Sequence, residues 1–336
     1  MDRKRTRKSR RLGRLAVVGT AAWMAYAAFQ KNQALKARRS NGFMPVAPEL
    51  SRSAMVDGML MRWEEHGMRS SDQPPVVMVH GIPTNPRIWR YVIPHLTGGE
   101  TQCLAWELVG FGWSIDEGLG RDISIPRQAE YLAAWLKAQG IERAVFVGHD
   151  VGGGVVQALL AARPELFAGL VLVDAVAFDN WPVAAMKTAR QFNRVIDKLP
   201  PAMLKPLFHA GLSELGHDDA RRGVESAALL WAPYARPTGA AGFANQARHM
   251  SARDTLAAAA RLPNRDDLPV RIVWGEEDPL DIASAERLAT LLSAPPVRRI
   301  AGGRHFNPED HPDIVADEIR AVLDAIVRPA PTTPAV

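Results

Sequence analysis

The feature that most constrains this chain is the stretch Ala144-Val145-Phe146-Val147-Gly148-His149-Asp150-Val151-Gly152-Gly153-Gly154, which runs on into Val155-Val156-Gln157-Ala158-Leu159-Leu160. The apolar run before Gly148 predicts a buried strand, and the residues after the glycines predict a helix. Glycines on both sides of Asp150 leave room for a tight turn with backbone packed on backbone. Such a turn lifts the Asp150 side chain to the strand's carboxyl edge, beside the free N–H groups and positive dipole end of the new helix.

The same alternation extends along the chain. Strands are expected over 59–67, 76–79, 102–106, 144–148, 169–174, 270–274 and 297–300, with helical spacing over 126–139, 153–163, 283–293 and 312–326. Continuous apolar strands separated by helices imply a mainly parallel central sheet covered on both faces. Residues 176–268 break the rhythm: they hold no convincing strand, but several helical stretches, prolines and aromatic residues. An insertion of that length before the last two strands predicts a helical cap over the carboxyl edge of the sheet, where α/β sites lie. The expected organisation is a basic tail (1–40), a linker (41–58), a first core part (59–175), the cap (176–268), a second core part (269–328) and a frayed proline-rich end (329–336).

Charge is divided unevenly. Residues 1–39 hold twelve Lys and Arg against Asp2 alone, a charge of +11 in a chain of net +5, which leaves −6 on the rest. A mildly acidic folded part argues against a nucleic-acid-binding surface there. Within the tail, Leu15 to Phe29 is uncharged and fairly apolar. As a helix it would be about 22 Å long, short of the hydrocarbon core of about 30 Å. The basic flanks favour a membrane-associated anchor or interfacial helix, so residues 1–39 are expected to contact a membrane. The alternatives are an export signal, given Arg10-Arg11 and Ala25-Tyr26-Ala27, and a solvated tail on a cytoplasmic protein. The single cysteine, Cys103, excludes an intrachain disulfide and a cysteine-based metal site.

Four separated motifs bear on chemistry. His80-Gly81-Ile82-Pro83-Thr84 is a turn after a strand; Gly148-His149-Asp150-Val151-Gly152 is the sharp junction already described. Val270-Arg271-Ile272-Val273-Trp274-Gly275-Glu276-Glu277-Asp278-Pro279 is a strand ending in an acidic turn, and Gly302-Gly303-Arg304-His305-Phe306 is a loop after the last strand. Taken singly these are ordinary. His80 reads as packing, Asp150 as a helix cap, and Glu276 and Glu277 as solvated turn residues. His149 points away from Asp150 on an extended strand, and His311 reads as surface or capping. In this order, over residues 50–328, the four motifs resemble the α/β-hydrolase fold, in its aspartate-nucleophile branch of epoxide hydrolases and haloalkane dehalogenases.

That resemblance implies Asp150 as nucleophile, Asp278 as the acid orienting His305, and the backbone N–H groups of Ile82 and Val151 as an oxyanion hole. Asp174, at the end of the preceding strand, is the reserve acid. A carboxylate is ionised at neutral pH and needs no base to activate it. It attacks saturated carbon bearing a strained oxygen or a halide, giving an alkyl ester that water, activated by His305, then hydrolyses. No metal or cofactor is required; the partners are water and a small apolar organic substrate. Epoxides lead the expectation, with Tyr234 as proton donor, His249 as a second donor, and Trp181, Trp231 and Phe192 lining the pocket. Haloalkanes follow, because Val151 and Ile82 stand where dehalogenases place halide-binding side chains. Esters or lactones, and a non-enzymatic ligand-binding role on the same scaffold, are the further alternatives.

Overall fold

A computed structural model describes residues 50–70, 72–98, 101–212 and 216–327. The basic tail with its apolar run, the first part of the expected linker and the terminal tail lie outside the described residues. Among the described residues, no helix is long and apolar enough to cross a membrane.

The apolar runs form the strands β1 (Arg52–Val56), β2 (Met59–His66), β3 (Val76–Val79), β4 (Cys103–Trp106), β5 (Ala144–Asp150), β6 (Phe167–Ala175), β7 (Val270–Gly275) and β8 (Arg298–Ile300). They make one sheet in the order β1-β2-β4-β3-β5-β6-β7-β8. β2 runs antiparallel to β1 and β4, and every other pairing is parallel. Every residue of β3, β4, β5 and β6 is buried, so these central strands are covered on both faces. α1 (Ile125–Ala138) and α2 (Val151–Ala162) pack on each other and on the sheet. Across β6 and β7 lies α10 (Pro312–Val327), and α9 (Ile282–Leu291) lies beside β7. Cys103 is buried at the start of β4, where burial pushes its thiol up to about 12.

Two expected boundaries are corrected. Residues 52–56, expected within a linker, form β1 and pair with β2 from Arg52↔Trp63 to Val56↔Met59. Their signal was faint because an edge strand buries little: only Val56 of the five is buried. Between β6 and β7 the chain is helical, in α3 (Ala184–Gln191), α4 (Asn193–Ile196), α5 (Pro201–Ala210), α6 (Ala220–Trp231), α7 (Gly239–His249) and α8 (Ala252–Ala259). α3, α4 and α5 pack on α7, whereas α8 returns to the core and packs on α2. The excursion from the core therefore ends near Met250, not at 268.

The sheet is irregular where β5 meets β6. His149 pairs with Val173 but Asp150 pairs with Ala175, so Asp174 is an extra residue, a bulge. Asp150 (φ 51°) and Asp174 (φ 43°) both take the left-handed backbone region that only glycine adopts freely.

Candidate active site

Asp150 ends β5 and turns the chain directly into α2, with φ 51° and ψ −122°. Such a conformation costs about 1–3 kcal/mol and persists only where its surroundings enforce it. Here close backbone packing does so: a Cβ at Gly152 would overlap the carbonyl oxygen of Val79, and one at Gly148 the backbone of Gly153. The turn leaves Asp150 5% exposed. Its Oδ2 accepts the Ile82 N–H at 2.7 Å, and the Val151 N–H also bonds to the carboxylate. Gly81 is needed beside it, because a side chain there would strike the carboxylate. The two backbone donors expected at this position therefore converge on Asp150.

His305 stands opposite, with Nε2 3.9 Å from Asp150 Oδ1, a gap beyond direct hydrogen bonding. Its Nδ1–H donates to Asp278 Oδ2 at 2.7 Å. The Asp278 side chain is fully buried, and its Oδ1 accepts the Leu280 N–H at 2.5 Å. Of the two candidate acids, Asp278 is the one bonded to the imidazole. Asp174 has both oxygens engaged elsewhere: Oδ1 accepts from Gly275 N–H at 2.8 Å and Oδ2 from Asn307 Nδ2 at 2.7 Å. Since Asn307 Nδ2 also donates to the Arg304 carbonyl at 2.6 Å, Asp174 tethers the loop that carries His305.

The charges of the three groups act on one another. Burial raises the Asp150 carboxyl, and His305 and the two backbone N–H groups counter it. Burial disfavours charge on His305, yet Asp278, Asp150 and Asp174 outweigh it and hold the imidazole up at about 10. Burial, and next the neighbouring Asp278, raise Asp174 well above the usual carboxylate range. In the resting site His305 is thus an imidazolium beside a carboxylate.

The five other expected pocket residues all lie between β6 and β7. Trp181 is buried and donates its indole N–H to Thr255 Oγ1 at 2.8 Å, joining the segment after β6 to α8. His249 closes α7, bonds to the Asn245 carbonyl at 2.9 Å and faces Asp122 at 3.8 Å. Trp231 packs edge-on against Phe208, ring centres 5.1 Å apart, within the insertion. Phe192 is 52% exposed. Tyr234 is fully enclosed and donates its hydroxyl to Gln246 Oε1 at 3.0 Å; Gln246 donates in turn to the Gly110 carbonyl at 2.7 Å. Burial makes that phenol a weaker acid than usual. Periodicity marks such residues as apolar but does not say which way they face. His311 lies at the surface as expected, paired with Asp218 at 2.6 Å.

Several residues with a bearing on the site escaped sequence reasoning. His149 donates its Nε2–H to the His305 carbonyl at 2.7 Å, with its ring 4.8 Å from that of His305. His80 accepts the Leu108 N–H at 3.1 Å and donates to the Gly81 carbonyl at 2.9 Å, fixing the turn that presents Ile82. Burial lowers it to about 3, so it stays neutral. Behind the His305 loop, His217 is held between Asp310 at 2.8 Å and Glu309 at 3.2 Å, and Glu309 also pairs with Arg90. Despite burial, the two carboxylates raise His217 to about 9. Its ring stacks on Phe306, next to His305. The only sequence signal for that network was an unassigned acidic pair in Pro308-Glu309-Asp310.

With this geometry in view, comparison with known proteins gives a consistent result. The chain is 24% identical to a haloalkane dehalogenase of Mesorhizobium japonicum over 86% of its own length and 96% of that protein. It superposes on the crystal structure of an α/β hydrolase fold protein from Burkholderia ambifaria with a TM-score of 0.69 at 27% identity, covering 82% of this chain and 98% of the other. An epoxide hydrolase structure matches with a TM-score of 0.62 at 22% identity, covering 82% and 99%. Residues 74–312 match the family model for the alpha/beta hydrolase fold. This chain, a hydrolase, belongs to the alpha/beta hydrolase fold family.

Proposed function

We propose that this protein hydrolyses a small apolar organic electrophile through a covalent alkyl ester on Asp150. The supporting observation is one arrangement: a carboxylate at a strained turn, one oxygen on the Ile82 N–H, the other facing a His305–Asp278 pair across 3.9 Å. Oδ1 attacks a saturated carbon, a carbon–oxygen bond forms, and the leaving group departs with its electron pair. Oδ2 remains on the Ile82 and Val151 N–H groups and becomes the ester carbonyl oxygen. Esterification removes the Asp150 charge, so His305 gives up its extra proton to solvent and becomes a base. It then takes a proton from water, which adds to the ester carbonyl; the oxyanion rests on the two N–H groups until the acyl–oxygen bond breaks and the alcohol leaves.

An epoxide oxygen leaves as an alkoxide and needs a proton, and the tyrosine on which that reading relied is tied to Gln246. A halide leaves without one, and the similar Mesorhizobium japonicum protein is named a haloalkane dehalogenase. Haloalkanes are therefore the first substrates to try and epoxides the second, although neither Ile82 nor Val151 offers a side-chain donor to the halide. Residues 176–250 act as the cap in this reading. The test is to incubate His305→Gln with each class and measure intact mass. A haloalkane adduct shows the alkyl group without halogen, whereas an epoxide adduct carries the whole substrate; either must map to Asp150. Turnover by wild type without any adduct in the variant refutes the ester. Ligand binding without turnover, the same in Asp150→Asn, would indicate a binding protein.

A further inference from the structure

The outer face of α3, α4 and α5 is unlike the rest of the surface. Ten large hydrophobic side chains are exposed among the described residues, and four of them, Phe192 (52%), Val195 (57%), Met203 (63%) and Leu207 (47%), fall in this short segment. Scattered single exposures are ordinary, but a concentration of this kind marks an interaction surface. The direction of the face follows from the packing. α3, α4 and α5 bury Ala189, Ile196, Leu204 and Phe208 and pack on α7, so the exposed side chains look away from the core. Met203 and Leu207 are four residues apart on one helix, hence neighbours on its surface.

Charge identifies the occupant. Residues 184–210 carry Lys187, Arg190, Arg194, Lys198 and Lys205 against Asp197 alone, a local +4 in a folded part that is otherwise acidic. All five cations are exposed, and among the described residues Lys187, Arg194, Lys198 and Lys205 make no ion pair. α3 also borders a surface groove of about 560 Å³ where Lys187, Arg190 and Arg253 outnumber Asp179 and the 45% exposed Leu256 sits at the edge. A second copy docking by the same face would bring like charges together. The chain's own N-terminal segment, at +11, is repelled as well. Exposed Phe, Val, Met and Leu interleaved with exposed Lys and Arg match a bilayer with anionic headgroups, into which the apolar groups insert while the cations meet phosphate. We infer that the α3–α5 face docks on an anionic lipid surface. The inference does not depend on the chemistry assigned to Asp150.

A local probe on the full chain tests this. Cys103 is the only cysteine and is buried, so a cysteine introduced at Met203 or Val195 takes an environment-sensitive dye selectively. A control dye goes on exposed Asp266→Cys, just before β7. Vesicles of phosphatidylcholine with added phosphatidylglycerol should shift the Met203 and Val195 dyes to the blue and expose them to a bilayer-embedded quencher, with the Asp266 dye unmoved. Adding Arg194→Gln and Lys198→Gln should weaken the vesicle-dependent shift about 25-fold, at about fivefold per cation. Binding through residues 1–39 alone leaves the Met203 dye unmoved and overturns the inference. So does an equal shift with phosphatidylcholine alone, or a shift that grows with protein concentration without vesicles, which would show a second copy on this face.

Discussion

The protonation of His305 is the part of the site most open to measurement. Its imidazole is held up at about 10 by carboxylates against the opposing effect of burial, and Asp150 is one of them. Asp150→Asn removes that charge while keeping shape, and so imitates the electrostatics of the alkyl ester. At a separation of 3.9 Å and an effective dielectric constant of about 20, one unit charge contributes about 4 kcal/mol, or about three pKa units. The imidazole should therefore titrate near 7 in Asp150→Asn, against about 10 in the wild type. Proton or carbon NMR of the ring, followed from neutral to alkaline pH, reads the midpoint directly. The two proteins differ by enough that incomplete assignment of the other histidines would not hide the change. A midpoint in Asp150→Asn that coincides with wild type would refute the reasoning, since something other than Asp150 would then be holding the proton. If the shift is found, the free site cannot run its hydrolytic base early: the base becomes available once the ester exists.

Other outcomes follow from the same contacts. Asp278→Asn should slow ester hydrolysis about 100-fold to 10,000-fold without slowing the first step, so intact mass under substrate should show the ester accumulating. Tyr234→Phe should leave turnover unchanged and cost about 1 kcal/mol of stability by denaturant unfolding; a 100-fold loss of turnover would put this phenol back into the chemistry. His149→Phe should lower kcat more than KM and change the pH profile, because the carbonyl of His305 loses its donor. The raised His305 contributes stability that is fully present below its unfolded value of about 6.5 and is lost as pH rises through about 10. His305→Gln should therefore unfold with a flatter alkaline limb, the remaining slope belonging to His217, which loses its proton near 9.

Much of this arrangement was legible in the chain. The strand–turn–helix at Asp150 was readable because glycine spacing encodes close backbone approach, and Gly148 and Gly152 are indeed packed against backbone. Asp278 and His305 were readable because each follows a strand of a parallel sheet, on the side of its carboxyl ends. What escaped depends on facing. Trp181 and His249 bond to Thr255 and Asn245, and no spacing rule anticipates such partners. The alternation rule read His149 as packing. It gave no hint that the His305 loop returns to this side chain, 156 positions later in the chain. Asp174 was read as the reserve acid, but at a one-residue bulge between β5 and β6 it bonds to Gly275 and Asn307, which strand spacing does not encode.

The buried thiol at the head of β4 bears on the proposed reaction with alkylating agents. Haloalkanes and epoxides modify accessible thiolates indiscriminately, and the rate follows the thiolate fraction. This chain offers them only Cys103, which is enclosed by the sheet and held protonated with a pKa of about 12. Under the proposed reaction, an electrophilic substrate would therefore find no reactive thiol on the folded protein.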